Sequence, residues 1–133
     1  MLAFPTITAL TLGATIILQM GLAFRTSSGR FKHQQSVGDG GKYEMIARSR
    51  AHGNLAENAP IIILTLALLE SAGANATGIT ALAAVFFLGR ILHPFGIAIK
   101  KSPNAPRFLG SLTTYMVGFI SGGWLLLTAA QML

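Results

Sequence analysis

The chain has 133 residues, of which 52% are apolar and only 11% charged, and its mean hydropathy is +0.59. Ordinary soluble domains carry about 25% charged residues, and a chain this short leaves too much surface exposed to be covered by so few. The composition excludes a soluble globular domain, a disordered chain and a nucleic-acid binder of the usual kind, and it points to a small integral membrane protein in which a net charge of +6 reflects topology before it reflects a partner.

No charged residue precedes Arg25. Residues 4–24 are apolar apart from threonines and Gln19, long enough for a first membrane span, and the basic start of a signal peptide is missing. A basic stretch follows, with Arg25, Arg30, Lys32, Lys42, Arg48 and Arg50, interrupted by Ser36-Val37-Gly38-Asp39-Gly40-Gly41. Those glycines break any helix, which restarts near Lys42. The second span is expected at 45–71, the third at 77–99 after a short neutral link, and the fourth at 108–131. The prediction is one all-α transmembrane domain over 1–133, a four-helix bundle.

Basic residues lie in the first loop and in the third, which holds Lys100, Lys101 and Arg107, while the second loop and both terminal segments have none. The positive-inside rule therefore places both termini on the non-cytoplasmic side. Gly118 and Gly122 on the fourth span have the spacing of a close helix contact, read as packing within the bundle rather than as a dimer signal. Arg25, Arg30, Lys32 and His33 read as a headgroup-facing run.

Ionisable groups inside a membrane are expensive and seldom face lipid. On the second span Arg50, Asn54 and Glu57 fall within an arc of about 60° at helical periodicity, with Arg48 and His52 pointing elsewhere. Beyond Pro60 the span is apolar until Glu70, which is expected to reach water. On the third span Arg90 and His93 share a face, and Arg90, ten residues before Lys100, lies about 15 Å into the helix. Pro94 cannot donate a bond to the Arg90 carbonyl, and a kink there would open space. One reading is a buried Glu57–Arg90 ion pair that fixes helix register, with Asn54 as glue. The other is a ligand site: several cations, one carboxylate, an amide and an imidazole suit a ligand that is anionic overall and carries an ammonium for Glu57. The histidines His33, His52 and His93 are not spaced as a ligand set, so no metal site is expected.

The stretch Arg50-Ala51-His52-Gly53-Asn54-Leu55-Ala56-Glu57-Asn58-Ala59-Pro60 resembles the signature of the membrane-associated proteins in eicosanoid and glutathione metabolism, the MAPEG family. The family pattern there is Arg-x-x-x-Asn-x-x-Glu-Tyr-x-Pro. Gly38-Asp39-Gly40-Gly41 upstream and Gly89-Arg90-Ile91-Leu92-His93 downstream are similar to the small bacterial branch. The resemblance implies a homotrimer in a bacterial inner membrane, with glutathione as co-substrate bound between protomers near the cytoplasmic side and lipophilic molecules arriving through the bilayer lipids.

Carried over by position, the resemblance makes Arg50, Asn54, Glu57, Arg90 and His93 glutathione-contacting residues and Arg107 the catalytic arginine that stabilises the thiolate. It also keeps Arg30 as a candidate, because some members place a first-helix arginine in the site. The chemistry is coherent. Arginines suit the two carboxylates, Glu57 the ammonium, and a thiol with a pKa of about 8.5 becomes more reactive beside a cation. With no cysteine in the chain, any thiol is the ligand's.

Three departures bear on activity. The tyrosine after the motif glutamate is Asn58, a third-helix tyrosine falls at Ile97, and the fourth-helix tyrosine one turn beyond the arginine is unmatched, since Tyr115 comes two turns after Arg107. The implied function is a glutathione-dependent transferase or peroxidase acting on lipophilic electrophiles. The alternative is a non-catalytic lipid-binding or accessory subunit of a larger membrane complex. A proton-coupled transporter is disfavoured, because residues 1–24 contain no acidic group.

Overall fold

The computed structural model describes residues 4–133, so the first three residues of the expected domain lie outside the described residues. Four helices follow one another: α1, Thr6–His33; α2, Tyr43–Ser71; α3, Ala76–Ala98; and α4, Ala105–Ala130. The chain is an all-α membrane bundle. By length and apolar composition α1, α3 and α4 can each cross a bilayer, and α2, 29 residues long, runs alongside them with its charged half at one end.

The spans agree with the sequence except at the end of α1. The basic stretch after Arg25 is not a loop from its start, because α1 continues to His33. Nothing between Phe24 and Gln34 breaks the helix, and cations near a helix C-terminus are favourable. Gln34 ends it in a left-handed conformation with φ 50°, and Gln35 N–H bonds back to the Arg30 carbonyl at 2.9 Å. Below that turn Glu44 joins α1 to α2: its carboxylate lies 3.0 Å from His33 Nε2 and accepts from Arg48 at 2.7 Å. His33 and then Arg48 hold the Glu44 carboxyl down at about 2.

Helices α3 and α4 begin with asparagine caps. The Asn75 side chain accepts from Gly78 N–H, and that of Asn104 from Arg107 N–H, each satisfying a donor that the helix start leaves free. The start of α1 has no such cap of its own. Glu70, expected to reach water, is half-buried at the end of α2, and its carboxylate also accepts from the backbone N–H of Ile7 at 2.9 Å, from that of Thr8 at 2.8 Å and from the Thr8 hydroxyl at 2.7 Å. An anion from α2 thus caps the positive end of the α1 dipole.

Helix α2 is central and packs against all three others. Its buried face, Ala47, Ala51, Leu55, Ala59, Ile62, Leu66 and Leu69, follows the three-to-four spacing of one helical face. The face meets Ile79, Ala83 and Phe86 of α3, Val117 of α4 and Leu22 of α1. Exposed apolar side chains such as Ile17, Phe24, Phe119 and Leu126 form the surface suited to lipid.

The closest approach is between α3 and α4, and glycine makes it possible. A Cβ on Gly110 would lie 2.7 Å from the Cβ of His93 and 2.8 Å from the Gly89 carbonyl oxygen, and one on Gly96 would meet the backbone of Arg107. The Gly118–Gly122 spacing, expected to pack within the bundle, does not: a Cβ on either would meet nothing within 4 Å. The seam uses Gly89, Gly96 and Gly110 because they sit where the polar segments of α3 and α4 cross.

Candidate functional site

At the end of the bundle where α2 and α4 begin and α3 ends, a cleft of about 300 Å³ opens between the three helices. It is lined by Arg50 and Asn54 from α2, His93 and Ile97 from α3, and Arg107 from α4, so four of the candidate residues converge there. The same cleft includes Tyr43, Ser111 and Tyr115, which sequence reasoning did not place in it. Ser111 and Tyr115 follow Arg107 at steps of four, the spacing that keeps side chains along one side of a helix.

Arg107 is held in place by Asn104. The Asn104 amide donates to the carbonyls of Gly96 and Lys101, both at 3.0 Å, while its oxygen caps Arg107 N–H at 3.1 Å. One side chain therefore ties the first turn of α4 to the last turn of α3, and the bare Gly96 lets the two backbones touch. The sequence carried a signal for this in Asn104-Ala105-Pro106, a capping residue with proline in the first turn. At the opposite wall the Tyr43 hydroxyl lies 2.9 Å from the carbonyls of Ile97 and Ile99, to which it donates. It closes the end of α3, where carbonyls lack helical partners.

Arg90 lies beneath the cleft and is 1% exposed. Its guanidinium donates to Asn54 Oδ1 at 2.7 Å and to Thr114 Oγ1 at 2.9 Å, and its Nε has no partner. The Glu57–Arg90 ion pair is not formed. Among the described residues Arg90 has no carboxylate partner, and the Glu57 carboxylate instead lies 3.9 Å from Arg50 on the surface of α2. The Arg50–Asn54–Glu57 stripe is real, and its members are shared out: Arg50 with Glu57, Asn54 with Arg90. His93 is 3% exposed, and its Nδ1 has no hydrogen-bond partner.

Two further candidates, besides the underlying Arg90, fall outside the lining of the cleft. Arg30 lies at the end of α1, where it donates to the Ser36 carbonyl at 2.8 Å in a separate cavity with Gln34 and Gln35. Glu57 borders a third cavity, on the α2–α4 face, that begins beside Tyr115.

The electrostatics of the cleft are one-sided. Arg50 and Arg107 stand at its walls and Arg90 lies under it, with Glu57 outside. A guanidinium removed from water without a counter-charge is unfavourable by several kcal/mol, and its field is little screened in an apolar interior. The arrangement suits an anionic ligand with forked acceptors, for which arginine is the preferred donor.

The family model described as the MAPEG family matches residues 8–128 of the chain. Among characterised sequences, the chain is similar to the inner membrane protein YecN of Escherichia coli strain K12, with 30% identity over 90 residues, which is 68% of this chain and 69% of the relative. The protein of the same name in Escherichia coli O6:H1 strain CFT073 matches with the same identity and coverage.

Proposed function

Because the chain belongs to the MAPEG family, we propose that its polar cleft binds glutathione and that the protein is a glutathione-dependent membrane transferase with peroxidase activity toward lipophilic substrates. The observation that carries this reading is the convergence of Arg50, Asn54, His93 and Arg107 on one cleft above a buried Arg90 that has no carboxylate partner among the described residues. Glutathione supplies two carboxylates, one ammonium and one thiol. Arg50 and the buried charge of Arg90 suit the carboxylates, and Glu57, at the edge, suits the ammonium. Arg107 lowers the pKa of the thiol and so raises the thiolate fraction that reacts.

In this reading the protein works as a homotrimer in the cell inner membrane, with both termini on the non-cytoplasmic side and the cleft at the cytoplasmic face. The similarity to an inner membrane protein supports the location, and the basic loops support the orientation. Arg30, away from the cleft of its own chain, would then serve a neighbouring one.

The test is titration of the detergent-purified protein with glutathione. Binding is expected, and Arg50→Ala should weaken it about tenfold or more, as befits loss of a charge-assisted pair. No heat of binding at millimolar glutathione would sink the reading. A second reading, a non-catalytic lipid-binding or accessory subunit, is favoured by Ile97. It lines the cleft where the family resemblance leads one to expect a tyrosine, and it brings no hydroxyl. Bound glutathione without turnover on any electrophile would support that reading.

A further inference from the structure

Tyr115 borders two cavities. It lines the polar cleft with Arg107 and Ser111, and it lines a second cavity, also about 300 Å³, walled by Ile61, Ile62, Gly118 and Phe119 on the α2–α4 face. Among the described residues it is the one the two share. One cavity is suited to an anion and the other to an apolar molecule arriving from lipid, so a side chain at their junction can touch both occupants.

The polar groups around the second cavity are otherwise engaged. The Thr114 hydroxyl donates to the Gly110 carbonyl at 2.8 Å, the Asn58 amide donates to the Asn54 carbonyl at 2.8 Å, and the Glu57 carboxylate faces Arg50. Among the described residues the Tyr115 hydroxyl has no hydrogen-bond partner. Its backbone is well fixed, because the preceding residue, Thr114, receives the bond from buried Arg90. Side chains lean toward the N-terminus of their helix, and α4 begins at the polar cleft, so the phenol leans from the apolar cavity toward the thiol site.

Resting on the reading of the polar cleft as a glutathione site, we propose that Tyr115 is the proton donor to oxygen leaving groups, acting on a lipophilic hydroperoxide seated in the second cavity. The glutathione thiolate attacks the terminal peroxide oxygen, a sulfur–oxygen bond forms, and the oxygen–oxygen bond breaks. The electron pair leaves on the alkoxide, which takes the phenol proton to become the alcohol. The sulfur is oxidised to a sulfenic acid and the peroxide is reduced. A second glutathione thiol then attacks that sulfur and the disulfide forms; its proton leaves with the sulfenic oxygen as water, and the phenol is restored by the proton the first thiol gave up on ionising.

The experiment compares two reactions in Tyr115→Phe. Reduction of cumene hydroperoxide needs a proton on the departing oxygen; substitution of 1-chloro-2,4-dinitrobenzene expels chloride, which needs none. General acids contribute about 10²–10⁴-fold, so the ratio of hydroperoxide to chlorodinitrobenzene turnover, both taken at glutathione concentrations that titration shows to be saturating, should fall about 100-fold. Gly118→Leu, which projects into the second cavity, should raise KM for the hydroperoxide and leave KM for glutathione in place. An unchanged ratio in Tyr115→Phe overturns the assignment of Tyr115 alone. A parent protein that binds glutathione but reduces no hydroperoxide overturns it too. A parent that binds no glutathione overturns the reading of the polar cleft and this proposal with it, and the titration tells these outcomes apart.

Discussion

Arg90→Met separates a structural arginine from one retained for a ligand. The substitution keeps an unbranched apolar stem and removes the guanidinium with its charge. Two hydrogen bonds are lost, to Asn54 and to Thr114. The Thr114 hydroxyl still donates to the Gly110 carbonyl, and the Asn54 oxygen can turn to water in the cleft, so the loss on that side is about 1–3 kcal/mol. Against it stands the relief of a guanidinium that is 1% exposed and unpaired with any carboxylate, worth several kcal/mol. The variant should therefore unfold within about 2 kcal/mol of the parent, or above it. Binding should respond differently. For an anion about 8 Å from the lost charge, at an effective dielectric of about 20, the attraction forfeited is about 2 kcal/mol, or about 30-fold in Kd. Thermal unfolding in detergent micelles and isothermal titration with glutathione measure the two quantities. A large fall in Tm with unchanged glutathione affinity would instead make Arg90 a packing element with no part in binding.

Four further substitutions, at three positions, probe the framework of the bundle. Glu70→Ala removes the shared cap of α1 and should destabilise the protein by about 2–4 kcal/mol, since three hydrogen bonds to a charged acceptor are lost; Glu70→Gln should fall between the two, and equal Tm for all three proteins would show the cap to be idle. Gly110→Ala drives a methyl group into His93 and the Gly89 carbonyl, an overpacking of about 1–3 kcal/mol that should also weaken glutathione binding by displacing His93. Gly122→Ala meets nothing within 4 Å among the described residues, so a loss of stability there would mark a contact between chains.

The bundle was legible because its signals are local. The glycines at 38–41 and the short link near Gly73 set the helix ends beside them within a few residues, although Arg25 did not end α1, which runs on to His33, and periodicity put Arg50 and Asn54 on one face of α2. What could not be read depends on which helix meets which. The partner of Glu70 lies 62 residues away at Thr8, and no spacing rule connects them. Arg90 had a carboxylate and an amide within plausible reach, and packing decided for Asn54. The glycine spacing at 118–122 misled, because a small-residue pattern marks a possible close approach without saying which of several glycine faces is used. Tyr115 stands two turns after Arg107, where the family resemblance places a tyrosine one turn beyond it, and only the helix packing shows that two turns still bring it to the lining of the same cleft.

The central claim is that the cleft binds glutathione and activates its thiol. The most direct measurement is the ultraviolet absorbance of the thiolate as a function of pH, recorded for glutathione bound to the purified protein. The bound thiol should titrate below its free value of about 8.5, with the shift lost in Arg107→Leu while binding persists. Binding with an unshifted thiol, or a shift that survives in Arg107→Leu, would contradict that claim.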